Sequence, residues 1–284
     1  MGRVGGVRSI DGRTNAERLR TADRPGRSAY RLADVNRERI NRDFHDRYRH
    51  DGKRPFRHGW SGWHASHWPG GEWLHYHHWY YGGYRPGYWW RCATPIALTG
   101  WIVYPWLDPI YYDYGYGGNV YYSDDIVYID KRPVCSGLQY YQEAYAIADS
   151  VPEIDEQWAE EIEWLPLGVF AVVDEELEDG KQLLQLAVSK EGIIAGTLYN
   201  EKTGVVRPVE GTVDKDTQRA AWSFVDSKDS DVVMETGIYN LTKDKTKILV
   251  HLGPDITKTW TLVRLDEESE NGTPEGIKAP APNP

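Results

Sequence analysis

Apolar and polar residues alternate in short runs along the C-terminal half of the chain. Turn-forming sequences such as Asp179-Gly180 and Gly253-Pro254-Asp255 separate the runs. Alternation of this kind, interrupted by turn residues, is typical of half-buried β-strands that are joined by tight turns. The pattern predicts eight strands, at about 167–174, 182–189, 192–199, 205–213, 217–225, 232–240, 246–252 and 258–264.

The links between these strands are short, which favours antiparallel pairing of strands in chain order. Alternation places Leu184, Leu186 and Val188 on one face of the sheet, with polar residues between them on the other. Closing such a meander removes its exposed edges. We therefore expect a mainly β protein with a C-terminal eight-stranded antiparallel meander, either barrel-like or a sandwich.

A β-hairpin and a helix are predicted ahead of the meander. Two β-prone runs, 120–122 and 126–129, flank the polar residues 123–125, and a second turn at 130–131 leads into 133–134. Ser136 and Gln139 form a capping-box pattern that opens a helix, and Pro152 ends it. A second, short helix is predicted at about 89–98.

The segment from Trp60 to Tyr116 is unusually aromatic, with nine Trp, ten Tyr and five His. Glycines and prolines recur every few residues, which indicates irregular structure. The histidines could bind Zn or Cu, because His-rich tracts are metal ligands; alternatively they stack among the Trp and Tyr rings. They are His64, His67, His75, His77 and His78.

Charge divides the chain into segments. Residues 1–59 hold 16 of the 33 basic residues but only 8 of the 43 acidic ones. This arm has little apolar periodicity, so we expect it to be disordered or transiently helical. Its arginines are interleaved with carboxylates, which argues against a nucleic-acid partner. The expected organisation is a basic arm (1–59), an aromatic module (60–152), an acidic linker (153–164), the β-meander domain (165–266) and a disordered tail (267–284).

Compartment and thiol state are only partly constrained. The first 30 residues contain no apolar leader, and the longest apolar run, 94–106, is shorter than the roughly 20 residues that span a bilayer. We therefore expect no transmembrane segment, and the chain taken at face value is cytoplasmic. Cys92 and Cys135 allow one disulfide, and both the paired and the free states stay open.

Polar residues on the predicted strands are the best candidates for a binding site inside the barrel. Glu235, His251 and Arg264 could point into the lumen, and Trp222 and Trp260 could line an apolar ligand. The alternative is a lumen filled by its own side chains, including both tryptophans. The sequence has no Gly-x-Ser-x-Gly, phosphate-binding loop or dinucleotide fingerprint. We accordingly expect no catalytic residues and no cofactor other than the possible Zn or Cu.

A family resemblance is carried by ungapped stretches between residues 60 and 266. They are Trp89-Trp90-Arg91 with Ala93-Thr94, Pro109-Ile110-Tyr111-Tyr112-Asp113-Tyr114-Gly115, Asn119-Val120-Tyr121-Tyr122, Trp164-Leu165-Pro166-Leu167-Gly168-Val169-Phe170, Leu186-Ala187-Val188-Ser189-Lys190-Glu191-Gly192, Asp214-Lys215 with Thr217-Gln218-Arg219-Ala220-Ala221-Trp222, Met234-Glu235-Thr236-Gly237 and Leu262-Val263-Arg264-Leu265-Asp266. In these stretches the chain resembles the mu-protocadherin-like cell-surface protein family of planctomycete bacteria. The resemblance implies an exported protein at the cell surface or in the periplasm, with an envelope or protein partner that it does not identify. It implies no catalytic or binding residues.

The leading interpretation of the sequence is a non-enzymatic, exported or cell-surface protein with a structural or interaction role. Two alternatives stay open. The first is a β-barrel module that binds a small apolar ligand, and the second is a Zn- or Cu-binding protein that uses the His-rich stretch.

Overall fold

The computed structural model describes residues 36–48, 92–115, 117–152, 162–174, 181–225 and 231–266. Three α-helices and eleven β-strands lie within these ranges, with a 3₁₀ helix, Ile238–Thr242, between the ninth and tenth strands. In chain order they are α1 (Arg37–Tyr48), α2 (Pro95–Trp101), β1 (Val120–Ser123), β2 (Ile126–Ile129), β3 (Arg132–Ser136), α3 (Gly137–Asp149), β4 (Trp164–Val173), β5 (Gln182–Ser189), β6 (Ile193–Asn200), β7 (Val206–Val213), β8 (Arg219–Phe224), β9 (Val232–Gly237), β10 (Lys245–Leu252) and β11 (Thr257–Arg264).

Strands β4 to β11 form a closed antiparallel barrel in chain order. The barrel closes where β11 pairs with β4, with Arg264 opposite Phe170 and Thr261 opposite Val173. The predicted eight-stranded antiparallel meander is thus confirmed, and of the two predicted forms the barrel is the one adopted. The largest differences in strand length are at β8, which is shorter than predicted at both ends, and at β9, which ends at Gly237. The 3₁₀ helix follows directly, and its Asn240 side chain accepts a hydrogen bond from the Tyr112 N–H and donates one to the Tyr112 carbonyl.

The barrel interior is a packed apolar core. One cluster takes an inward-facing side chain from every strand, and side chains from all eight strands can meet only inside the barrel. These residues include Phe170, Leu184, Ile194, Val209, Trp222, Met234, Val250 and Leu262, each at most 1% exposed. If a void large enough for a water molecule lay beside these side chains, they would have measurable solvent-accessible area. The interior is therefore filled by its own side chains, as eight-stranded barrels permit.

One end of the barrel is covered by α2 and the residues that follow it. The indole N–H of Trp101 donates to the Val188 carbonyl, and that of Trp106 donates to the Lys215 carbonyl. Leu98 and Ile102 are buried against the interior cluster. These contacts fix the segment 95–110, which we call the end cap, across the turns β5–β6 and β7–β8.

The hairpin and helix ahead of the barrel confirm most of what the sequence predicts. Asp124 and Asp125 both have positive φ, the backbone conformation of a tight two-residue hairpin turn that aspartate tolerates. Ser136 caps α3, accepting a hydrogen bond from the Gln139 N–H.

The helix predicted at 89–98 is wrong in position, because α2 begins only at Pro95. The Thr94 side chain accepts from the Ala97 N–H and caps it there. Proline is favoured in the first turn of a helix because its missing N–H would have no partner there.

Helix α1 lies in the basic arm, for which the sequence predicts disorder or a transient helix. Ile40 and Phe44, one helical turn apart, are buried against the outer wall of the barrel. Sequence periodicity missed this helix because only two apolar residues hold it, and the surface that stabilises them lies more than 120 residues away in the chain.

Of the described residues, none forms a helix long and apolar enough to cross a membrane.

Candidate functional site

Glu235 and His251 lie on the outer face of the barrel, which corrects the prediction that they face the lumen. Side chains alternate along a strand, and their neighbours Met234 and Val250 belong to the interior cluster. Glu235 and His251 must therefore point outward. Both side chains are nevertheless completely buried, because α3 covers this part of the wall.

A charged cluster forms around Glu235. One carboxylate oxygen lies 3.0 Å from His251 Nε2. The other accepts two hydrogen bonds from Arg219, from Nε at 2.9 Å and from Nη2 at 2.6 Å. His251 Nδ1 lies 2.9 Å from Thr257 Oγ1 on β11, so every polar atom of the imidazole has a partner. We call Arg219, Glu235, His251 and Thr257 the outer-wall cluster.

Helix α3 closes the outer-wall cluster from above. Arg219 Nη1 donates to the Glu143 carboxylate at 2.9 Å, and Nη2 donates to the Tyr140 carbonyl. The guanidinium also lies 3.8 Å from the centre of the Tyr140 ring, a cation–π contact. Tyr141 packs over His251 with ring centroids 5.5 Å apart. One arginine thus joins the barrel to the helix through two carboxylates and an aromatic face.

The sequence places these groups by simple periodicities. Arg219 and Glu235 occupy odd-numbered positions on neighbouring strands, where Ala221 pairs with Glu235 and Arg219 pairs with Gly237. Both side chains therefore lie on the same face, one diagonal step apart. On α3, Tyr140 and Glu143 are three residues apart and face the barrel together.

Electrostatics keep the outer-wall cluster charged. Burial is the largest influence on Glu235 and would raise its pKa, but Arg219 and His251 outweigh it and hold the pKa below the ordinary 4.5. Burial would likewise lower the pKa of Arg219, and Glu235 reverses this, so the pKa lies well above its ordinary value. The pair is therefore ionised at neutral pH.

Lowering the pH should reduce the free energy of unfolding, because the Glu235 carboxylate becomes protonated. A carboxyl whose pKa is lowered on folding contributes stability that is complete above its unfolded pKa, here 4.5, and is lost as the pH falls through its folded pKa. We expect the difference in free energy of unfolding between the wild type and Glu235→Gln to shrink as the pH falls below about 4.5. Urea denaturation of both proteins between about pH 7 and pH 3 measures this difference. A difference that stays constant over that range would contradict the role given to the carboxylate.

Arg264 does not join the outer-wall cluster. Its side chain faces inward at the capped end of the barrel, where it donates to the carbonyls of Leu167 and Leu241 at 2.6 and 2.5 Å. Its guanidinium lies 4.7 Å from the centre of the Phe170 ring. A Cβ on Gly168 would overlap Arg264 Nη1, so only glycine leaves room for the side chain there. Arg264 binds backbone carbonyls at the end of the barrel, and the three predicted polar residues do not converge.

Trp222 and Trp260 do lie inside, as the sequence predicts, but in different surroundings. Trp222 is fully buried among the interior side chains. Trp260 packs against the same cluster and stays partly exposed, as do Phe224 and Val232. The three partly exposed residues lie toward the end of the barrel opposite the end cap, and we call them the mouth residues.

Two further groups of predicted residues are the metal-binding histidines and the cysteines. His64, His67, His75, His77 and His78 lie outside the described residues. Within the described part of the chain, no group of three His, Cys, Asp or Glu residues could hold a metal ion. Cys92 and Cys135 are free thiols, and burial raises the pKa of Cys135 to about 11, with Glu143 adding to the effect.

Sequence reasoning missed Arg219, Glu143 and Thr257. The signal for Arg219 was available, because an arginine at an odd position of β8 shares a face with Glu235. The signal for Glu143 was not, because its role depends on where α3 docks. Thr257 is found only through its pairing with His251 in the sheet.

The order carboxylate, imidazole, hydroxyl in Glu235, His251 and Thr257 is the order that activates a nucleophile in many hydrolases. Here the carboxylate also accepts two hydrogen bonds from Arg219 on one oxygen, and neither it nor the imidazole has exposed surface. The geometry therefore fits a buried structural contact that holds α3 on the barrel better than it fits a reaction centre.

Fold and site together define a closed, eight-stranded antiparallel meander barrel with a packed interior and a charged cluster sealed under a helix on its outer wall. No family model, curated protein or solved structure matches the chain.

Proposed function

We propose that this chain is a non-enzymatic interaction protein of the cell surface or periplasm. The observation that carries the proposal is the packed barrel interior, in which eight side chains from eight strands have at most 1% of their surface exposed. A barrel that is full has no room for a ligand at its centre, so we assign the function to its outer surface. The location is supported by the resemblance to a family of surface proteins.

The end cap offers a surface for such an interaction. Three of its aliphatic side chains stand in solvent: Ile96 (86% exposed), Val103 (64%) and Leu107 (94%). The backbone between them is held by the hydrogen bonds of Trp101 and Trp106 to the barrel turns. Exposed apolar side chains on a fixed support are typical of a protein-binding surface.

Native mass spectrometry of the full-length protein, purified from its own cells, tests the proposal. We expect the mass of the polypeptide alone, because the interior is already filled. A stoichiometric apolar ligand that co-purifies would contradict a role confined to the outer surface. Cell fractionation tests the location, and recovery of the full-length protein from the cytosol alone would contradict it.

A small apolar ligand at the mouth residues is the second candidate function. Phe224, Val232 and Trp260 face inward but keep part of their surface exposed, unlike the side chains deeper in the barrel. The guanidinium of Arg207 lies 3.4 Å from the centre of the Phe224 ring, so a cation borders this apolar group. The ligand expected here is a small apolar molecule, and the same mass measurement would detect it. Zn or Cu binding by the five histidines stays a prediction that calorimetric titration of the full chain with either metal would test.

A further inference from the structure

An apolar strip runs along the outer wall of the barrel on β4, β5 and β11. Its members are Val169, Ala171, Val173, Leu183, Val263 and Leu265, each at most 3% exposed. An antiparallel sheet that packs one face on a core normally carries polar side chains on the other face. A strip of aliphatic residues there is a surface that needs a cover, and α1 provides it through Ile40 and Phe44.

Polar contacts at one end of this strip fix the position of α1. The Asn41 side chain donates to the Arg264 carbonyl at 3.2 Å and accepts from the Asp266 N–H at 2.8 Å. The Asn41 side chain thus satisfies one backbone acceptor and one backbone donor at the end of β11, as a neighbouring strand would. Arg37 donates to the same Arg264 carbonyl and pairs with the Asp266 carboxylate at 2.5 Å.

The other end of α1 has its own charged contact. Arg47 Nε lies 3.0 Å from the carboxylate of Glu201, in the turn after β6. Polar contacts at both ends with two apolar contacts between them set the direction and register of the helix. The strip and its polar ends therefore form a groove that recognises the pattern Arg-x-x-Ile-Asn-x-x-Phe on a helix, which is the helix-in-groove mode of recognition.

Helix α1 is poorly suited to fold by itself. It has 12 residues, close to the lower limit for a helix that is stable alone in water, and most of its side chains are charged. Docking and folding of α1 are thus one event. In the sequence, 43 residues separate Tyr48 from Cys92, the next residue that the structure describes. The contacts in the groove do not depend on which copy of the chain supplies the helix.

We propose that this groove is a helix-exchange site, in which α1 of a second copy of the chain docks in place of the chain's own α1. The same side chains make the same contacts in both arrangements, so the balance is set by the effective concentration of the tethered helix against that of neighbouring copies. Crowding of copies then shifts the protein from closed monomers to pairs that are joined by their N-terminal helices. The exchange requires only a second copy of the chain, in whatever compartment the protein resides.

A complementation experiment with two full-length variants tests the exchange. Phe44→Asp removes the central contact of the helix and leaves the groove intact. Ala171→Arg blocks the groove, since Ala171 lies between Leu183 and Val263 in the sheet register, and leaves the helix intact. Each variant alone should be monomeric. An equimolar mixture should form a one-to-one heterodimer, at least tenfold more abundant by native mass spectrometry than the homodimer of either variant at the same concentration. A mixture that stays monomeric, while both variants keep the near-ultraviolet circular dichroism of the wild type, would overturn the proposal.

A peptide assay keeps the test decisive if one variant loses its fold. A labelled peptide of residues 35–50 should bind the full-length Asn41→Ala or Phe44→Asp chain at least tenfold more tightly than the wild type, whose own helix competes. The same peptide with Asn41→Ala should bind at least tenfold more weakly. Equal binding by all the chains would contradict a groove that is occupied by α1. Peptide binding without a heterodimer would show that the groove accepts helices but that a second copy is not the source, which also overturns the proposal.

Discussion

Replacing Glu235 with alanine is expected to lower the free energy of unfolding by about 3–5 kcal/mol, the usual cost of removing one partner of a buried ion pair. The Glu235 side chain has no exposed surface and that of Arg219 only 4%. Without the carboxylate, the guanidinium stays buried with Glu143 as its only remaining carboxylate among the described residues. His251 loses a hydrogen bond at the same time.

Urea denaturation followed by circular dichroism measures the loss. Glu235→Gln is the matched control, because it keeps the shape and part of the hydrogen bonding and should cost less than the alanine. Asp113→Ala is the control for an exposed pair: Asp113 lies 3.3 Å from Lys243 with most of its side chain in solvent, so its loss should cost less than about 1 kcal/mol. If Glu235→Ala and Asp113→Ala cost the same, the outer-wall cluster does not fasten α3 to the barrel.

The predictable part of this fold follows from alternation and turn chemistry. Strand β5 begins and ends at the residues that the sequence predicts, and the order of the strands follows from the short links. Ser136 and Gln139 locate the start of α3 because a capping hydrogen bond is a local interaction. These features depend on neighbours in sequence, so a single sequence is sufficient to find them.

The alternation of side chains along a strand fixes which face of the barrel Glu235 and His251 occupy. Ile248 and Val250 lie on the inner face of β10, so alternation requires His251 to face outward. The polarity of Glu235 and His251 suggested a site in the lumen, whereas the alternation along the strands places both outside it. What alternation could not supply is that this outer face is buried. That depends on α3 docking against β7, β8 and β9. The contacts join residues 65 to 90 positions apart, from Thr212 Oγ1 with the Ile147 carbonyl to the Tyr141 hydroxyl with the Asp231 carbonyl.

Helix α1 was missed for the same physical reason. Ile40 and Phe44 are a weak periodic signal in a segment rich in arginine and carboxylates, and what stabilises them is an apolar strip on distant strands. Local propensity does not report such a surface, because tertiary packing supplies most of the stability of a short helix in a protein.

Replacing Trp222 with alanine is expected to lower the free energy of unfolding by about 3–5 kcal/mol, as for other large residues that are truncated in a packed core. Among the described residues its side chain is the largest that is fully buried, and it lies in the cluster to which every barrel strand contributes. Its indole N–H has no acceptor among the described residues, so no hydrogen bond is lost with the ring. The cost comes from lost packing and from the cavity left behind. Trp222→Phe, which keeps most of the apolar volume, should cost clearly less.

The cavity in Trp222→Ala also distinguishes a filled lumen from an open one. A void lined by apolar side chains stays dry and accepts small apolar molecules. We expect indole to raise the melting temperature of Trp222→Ala, since a ligand at 100 times its Kd stabilises by about 2.7 kcal/mol, and to leave that of the wild type unchanged. Equal stabilisation of both proteins would mean that the wild type already has a site for apolar ligands, and the mouth residues would be the place to seek it. Stabilisation of the variant alone would mean that Trp222 occupies the space in which such a ligand would otherwise bind.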